Sequence, residues 1–124
     1  MPINIENLEG KVIFTYEGDS LVGADLRRLM LNNANFRNTD LSQANLEYAI
    51  CRGADFSGAN LKEARLVYGR FDDAKFVGTN FEGADMERAK FHRADLIGAN
   101  LKNVRMFQAK FEGAIFPNGE RVEE

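Results

Sequence analysis

Very few side chains in this sequence are equipped for covalent or proton-transfer chemistry. Cys51 is the one thiol and His92 the one imidazole. A single cysteine cannot close an internal disulfide, and the two residues together fall short of the ligand set of a structural zinc site. Steps of twenty from His92 reach Asn32, Arg52, Asp72 and Glu112. Carboxylates on both sides of the ring would favour imidazolium or hold a cation. The same step gathers Arg28, Tyr48, Tyr68 and Arg88, the most distinctive set in the chain. Two tyrosines about 4.8 Å apart between arginines would form a flat recognition strip, a composition shared by protein interfaces and single-strand nucleic-acid binders. Arg65, Arg70, Lys90, Arg105 and Lys110 fall beside it and add positive charge. The plainer alternative is that these groups stack on one another over strand backbone, with cation–π contacts of about 0.5 to 1 kcal/mol. A smaller apolar strip contains Val77 and Ile97, with Val67, Phe107 and the charged Glu87 in a nearby column.

What places these residues together is a repeat with a period of five. From Leu21 to Phe116 every fifth residue is apolar, twenty positions without a polar exception, and Cys51 is one of them. Two residues earlier the side chain is small: of nineteen positions from Ala24 to Ala114, fourteen are Ala and two are Thr39 and Thr79, with Leu29, Gly69 and Val104 as exceptions. Steps of five advance about 140° on a helix and would scatter these residues around the cylinder. A helix is excluded. Two inward positions separated by one outward position fit a very short extended segment, and the Gly-, Asn- and Ser-containing pair that follows suits a turn.

A larger period of twenty is also present. Sorted by that step, the columns beginning at Leu21 and Leu26 contain one Phe in ten residues, whereas those beginning at Leu31 and Phe36 contain seven in ten. One corner column reads Asn38, Gly58, Gly78, Gly98, Asn118, all residues that tolerate positive φ, while another holds Arg28, Tyr48, Tyr68 and Arg88. The motif A-[DN]-[LF]-x-x, as in Ala44-Asn45-Leu46, Ala54-Asp55-Phe56, Ala59-Asn60-Leu61, Ala94-Asp95-Leu96 and Ala99-Asn100-Leu101, resembles the pentapeptide repeat family. That resemblance implies an all-β fold, a right-handed quadrilateral parallel β-helix in which four pentapeptides make one square coil. It would give about five coils here, a rod about 24 Å long.

Domain organisation follows: an N-terminal cap over 1–19, the repeat body over 20–118 and an acidic tail over 119–124. Lys11 and Tyr16 break the repeat frame, and Val12-Ile13-Phe14-Thr15-Tyr16 is β-prone and apolar enough to cover the first coil. The tail is too short and polar to shield Leu101, Met106, Phe111 and Phe116, so a homodimer through the C-terminal coil, a mode the resemblance allows, is expected, with fraying of that coil as the alternative. With 16 Lys+Arg against 19 Asp+Glu the chain lacks the strong positive balance of a general nucleic-acid binder, so nucleic acid is disfavoured as a partner. The apolar runs are too short to span a membrane, and no signal-peptide pattern opens the chain, so a cytoplasmic location is expected.

Cys51 falls on the inward frame and reads as a core residue. A square rod without loop insertions offers no concave pocket for acid–base chemistry. The expected function is therefore that of a non-enzymatic rigid scaffold or protein–protein interaction module, with no catalytic, cofactor or metal residues and an unidentified protein as partner. The alternative implied by the resemblance is a DNA mimic that modulates DNA gyrase or topoisomerase. It sits poorly with a repeat body of fourteen basic and twelve acidic residues.

Overall fold

The computed structural model describes residues 1–124 and contains no helix. Two strands, β1 (Pro2–Glu6) and β2 (Val12–Glu17), form an antiparallel hairpin. The rest of the body is a stack in which each extended position forms a parallel bridge with the residue twenty further on. Asp25 pairs with Asn45, Met30 with Ile50, Asn35 with Asp55 and Asp40 with Asn60, and the series continues to Asp95 with Ile115. Four columns of bridges thus run the length of the repeats, one per wall.

The pentapeptide motif is explained by where its five backbone N–H donors go. Around Leu46, the N–H of Asn45 donates to Ala24 O in the preceding coil at 2.8 Å. Those of Leu46 and Tyr48 donate to Arg65 O and Val67 O in the following coil at 2.7 and 3.1 Å. The N–H of Ala49 turns back to Leu46 O at 3.0 Å. The fifth, on Glu47, donates to the side-chain Oδ1 of Asn45 at 3.0 Å. This last contact recurs at Asp40, Asp55, Asn60, Asn80, Asp85, Asp95 and Asn100. The Asp or Asn of the motif is therefore more than an outward polar residue. It satisfies the one donor that neither ladder nor turn can reach, as an Asx turn does.

Positive φ is a property of every corner, not of the Asn/Gly column alone. Nineteen consecutive corners from Gly23 to Gly113 take φ between 55° and 77°, twelve of them non-glycine, including Arg28 at 63° and Tyr48 and Tyr68 at 60°. The i to i+3 turn requires a left-handed third residue, and the two coil-to-coil bonds on either side hold it there despite a cost of about 1 to 2 kcal/mol for an L side chain.

Inside, the twenty-residue columns become stacks of like side chains. Phe36, Phe56 and Phe76 stack at 5.0 and 4.9 Å, and Phe71, Phe91 and Phe111 at 5.2 Å each. The two stacks touch edge to face, as at Phe56–Phe71 (5.9 Å, 66°) and Phe76–Phe91 (5.6 Å, 60°). Offset stacking along the axis and edge contacts across it are the two favoured ring geometries. Gly69 departs from the Ala column because the Phe71 ring occupies the space a Cβ would need. Thr79 fits the column because its hydroxyl donates to Phe56 O at 2.7 Å. Leu29 and Val104 lie in the first and last coils, where only one side is covered.

Both ends are capped on the same wall. At the start, Asn7 pairs antiparallel with Ala34, Leu8 N–H donates to Asn33 O and Asn35 N–H donates to Glu6 O, both at 2.8 Å. The cap is a full hairpin, with β1 at the rod and Ile5 buried, rather than the single segment 12–16. At the other end the tail does more than its length suggested. Gly119 at φ 88° lets the chain reverse, Arg121 pairs antiparallel with Ile115, and Ala114 is fully covered.

Phe76 touches Phe56, Phe71, Phe81 and Phe91. Phe76→Arg should abolish soluble folded protein, whereas Ser57→Arg at an outward corner should melt within about 4 °C of the parent. Equal expression and melting of the two would contradict the inward assignment. Asp55 gives a second test. Burial pushes its carboxyl up, but the bonds from Ser57 and from Arg37 Nε (2.7 Å) outweigh this and hold it below the usual range. Its ionised form then contributes stability that is present above about pH 4 and lost as pH falls through the lowered value. Asp55→Asn keeps the turn acceptor and should cost about 1 to 2 kcal/mol at pH 7. That gap, read by thermal melts, should close toward pH 2; a gap independent of pH would sink the assignment.

Candidate partner-binding strip

The four residues Arg28, Tyr48, Tyr68 and Arg88 meet as one continuous stack along a corner. The tyrosine rings lie 5.0 Å apart and 9° from parallel, a consequence of two identical corners one coil apart. The guanidinium of Arg28 sits 4.5 Å over the Tyr48 ring, and that of Arg88 lies 5.8 Å from Tyr68 and 5.4 Å from Phe107. Arg88 Nε also donates to Gln108 Oε1 at 3.0 Å. The strip therefore extends to Phe107, which the sequence placed only in a nearby column. Tyr48 and Tyr68 are 44% and 42% exposed and Phe107 is 61% exposed, so the stack stays open to solvent along its length. Their positive φ is no mark of special strain, because the other non-glycine corners share it.

The basic residues flanking the strip divide into two sets. Arg65 and Arg105 lie on the wall before the corner, bridged to Asp85 in the same column. There they are neutralised: Arg65 donates to Glu47 at 3.0 Å and Arg105 to Glu87 at 3.3 Å. The Arg65 hydrogen bond holds the Glu47 carboxyl below the usual range. Arg70, Lys90 and Lys110 stack on the wall after the corner, each bridged to the next.

The far edge of that second wall carries the His92 column. Asp72, with its side chain only 10% exposed, lies 3.2 Å from Arg70 and 3.6 Å from Arg52. His92 Nε2 is 3.9 Å from Glu112 Oε1. Asp72 Oδ1, Arg70 Nε and His92 Nε2 are buried and find no partner within the chain. The column does not assemble three donors around a common point for a cation. Cys51 is fully buried between coils, and burial pushes its thiol up, which suits a core residue.

At the C-terminal end Leu101, Phe111 and Phe116 are half-buried, with Phe111 and Phe116 edge to face at 5.1 Å, and Met106 is 38% exposed. The second apolar strip is there as expected, with Val77 and Ile97 both exposed.

The family model for the pentapeptide repeat region matches residues 24–101. The chain belongs to the pentapeptide repeat family. Among solved structures of this family, Rfr23 from the cyanobacterium Cyanothece 51142 is 31% identical with a TM-score of 0.73, over 74% of this chain and 63% of that one. HetL from the cyanobacterium Nostoc sp. strain PCC 7120, a pentapeptide repeat protein involved in heterocyst differentiation regulation, is 25% identical with a TM-score of 0.69, over 82% of this chain and 51% of that one. This chain thus spans about half to two thirds of the length of these relatives. No curated protein matches it in sequence. Pentapeptide repeat proteins are in general structural or interaction modules rather than enzymes. No helix here is long and apolar enough to cross a membrane.

Proposed function

We propose that the chain is a non-enzymatic rigid scaffold of the cytoplasm, a right-handed rod of about five coils that docks a partner protein through Arg28, Tyr48, Tyr68 and Arg88. The observation that carries this reading is the unbroken exposed stack Arg28–Tyr48–Tyr68–Arg88–Phe107. Tyrosine and arginine dominate interface hot spots. Ring stacking and ladder-bound corners fix the side chains before a partner arrives, which lowers the ordering cost of association. Coil number draws support from the parallel pairing at steps of twenty. A relative described as involved in regulation fits a protein that acts by contact. The DNA-mimic alternative would need carboxylates along the walls, and the column Arg70, Lys90, Lys110 is of the opposite sign.

The test compares proteins retained from the source lysate by immobilised variants. Tyr48→Glu with Tyr68→Glu should lose a retained partner by about tenfold or more, and Tyr48→Phe with Tyr68→Phe should keep it. Equal recovery on all three retires the strip.

A second reading rests on the last coil. There the N–H groups of Leu101, Asn103, Met106, Gln108 and Phe111 join no backbone ladder, and Met106 is exposed beside them. An open edge with an apolar end invites pairing with a second copy, so a homodimer through Leu101, Met106, Phe111 and Phe116 is the expected assembly. Light scattering should give a dimer mass that Met106→Glu returns to monomer. A monomer mass independent of concentration removes this reading.

A further inference from the structure

One wall carries positive charge that the chain neutralises at Arg70 alone, through Asp72, and leaves open at Lys90 and Lys110. Its outward column runs Met30, Ile50, Arg70, Lys90, Lys110, so three cations stack at the ladder spacing of about 4.8 Å. Like charges directly opposite in neighbouring strands destabilise a sheet. The other three columns mix in Asp and Asn, and this one alone contains neither. Of the nearby carboxylates, Glu47 and Glu87 go to arginines on the neighbouring wall and Asp73 to Arg93 at 2.9 Å, while Asp72 is shared between Arg52 and Arg70 and none reaches Lys90 or Lys110. Glu112 stands at the far lower edge beside His92. Lys90 and Lys110 form no ion pair, and Arg28 and Arg88 rest on rings.

The missing Asp and Asn have a second effect. Without an Asx acceptor, the N–H groups of Asp72, His92 and Glu112 that follow this column find no acceptor in the chain, and the same holds at the corner for Val67 and Phe107, which follow Arg65 and Arg105 of the neighbouring column. Cations and free donors therefore line the same wall.

We infer that this wall and its aromatic corner receive an acidic amphipathic helix of a partner protein, lying along the rod; this rests on the docking role proposed above and names the partner's chemistry. Helix residues three or four apart rise about 4.5 to 6 Å, close to the coil spacing, so a row of carboxylates would meet Arg70, Lys90 and Lys110 in register. A neighbouring apolar row would lie on Tyr48, Tyr68 and Phe107. An extended peptide spaces same-side residues about 6.7 Å apart and falls out of step. A long polyanion would run onto the acidic segments at both ends, which carry seven carboxylates against two basic residues.

The probe is a stapled synthetic helix of about eighteen residues with Glu every fourth position beside a row of Leu, followed by fluorescence anisotropy. A Lys-for-Glu version and an oligothymidylate of equal charge serve as controls. The parent protein should bind the Glu helix, about tenfold more weakly when salt rises from about 50 to about 300 mM, and should not bind the Lys helix. Lys90→Glu with Lys110→Glu should weaken binding at least about tenfold while the melting temperature holds or rises, since like-charge stacking is removed. No binding of the Glu helix, undiminished binding by the double variant, or tighter binding of the oligothymidylate overturns the inference. A lysate partner lost on Tyr48→Glu with Tyr68→Glu but kept by Lys90→Glu with Lys110→Glu leaves the corner as a docking site and overturns the helix on the wall.

Discussion

Everything in this protein depends on pairing each residue with the one twenty positions further on. Once a coil must sit one ladder spacing above its neighbour, every corner repeats in space and every inward side chain lies on one of its own kind. The register leaves no freedom to choose. Each pentapeptide has five N–H donors, and three go up or down the axis, one closes the turn and one needs a side chain. The sequence motif is the answer to that accounting: a large apolar residue for the interior, a small one where the wall is thin, and Asp or Asn where the last donor would otherwise go unmet.

Most of this is legible in the sequence, for a physical reason. A period of five is incompatible with helix geometry, and the inward frame from Leu21 to Phe116 is nearly fully buried through Leu96, Cys51 included. What escaped was not periodicity but bonding. Asp55 and Asn60 read as outward polar residues because a sequence shows where a side chain points, not which donor lacks an acceptor. The corner conformation escaped for a related reason: propensity gives positive φ to Asn and Gly, yet Tyr48 and Tyr68 adopt it because two ladder bonds and a turn bond overrule a local preference of about 1 to 2 kcal/mol.

The ends are less legible in sequence than the middle, since repetition no longer constrains them. β1 alternates Ile3 and Ile5 with polar residues, a period of two that marks a strand, although the longer apolar run lies in β2. The tail is short and polar, which argues against a side-chain cover. Its capping is done by backbone: Val122 N–H donates to Ala114 O and Gly113 N–H to Val122 O, both at 2.8 Å, and polar side chains do not prevent that. Two caps on one wall leave three walls of the last coil with unpaired donors, so the rod is closed against slippage at both ends without being closed against a partner.

The candidate strip shows how far column arithmetic can be carried. It brought Arg28, Tyr48, Tyr68 and Arg88 together correctly, because stacking at steps of twenty is enforced by the fold. It could not separate Arg65 and Arg105 from Arg70, Lys90 and Lys110, because all five are near the same corner in sequence terms. Which basic residues are free is decided by where carboxylates reach: Glu47 and Glu87 take Arg65 and Arg105, Asp72 takes Arg70, and Lys90 and Lys110 are left open. That asymmetry turns a body of almost balanced charge into one with a neutralised wall and a basic wall meeting at an aromatic edge. A surface so divided discriminates by sign of charge while its stacked rings supply contact area, and it does both with side chains whose positions the ladder has already set.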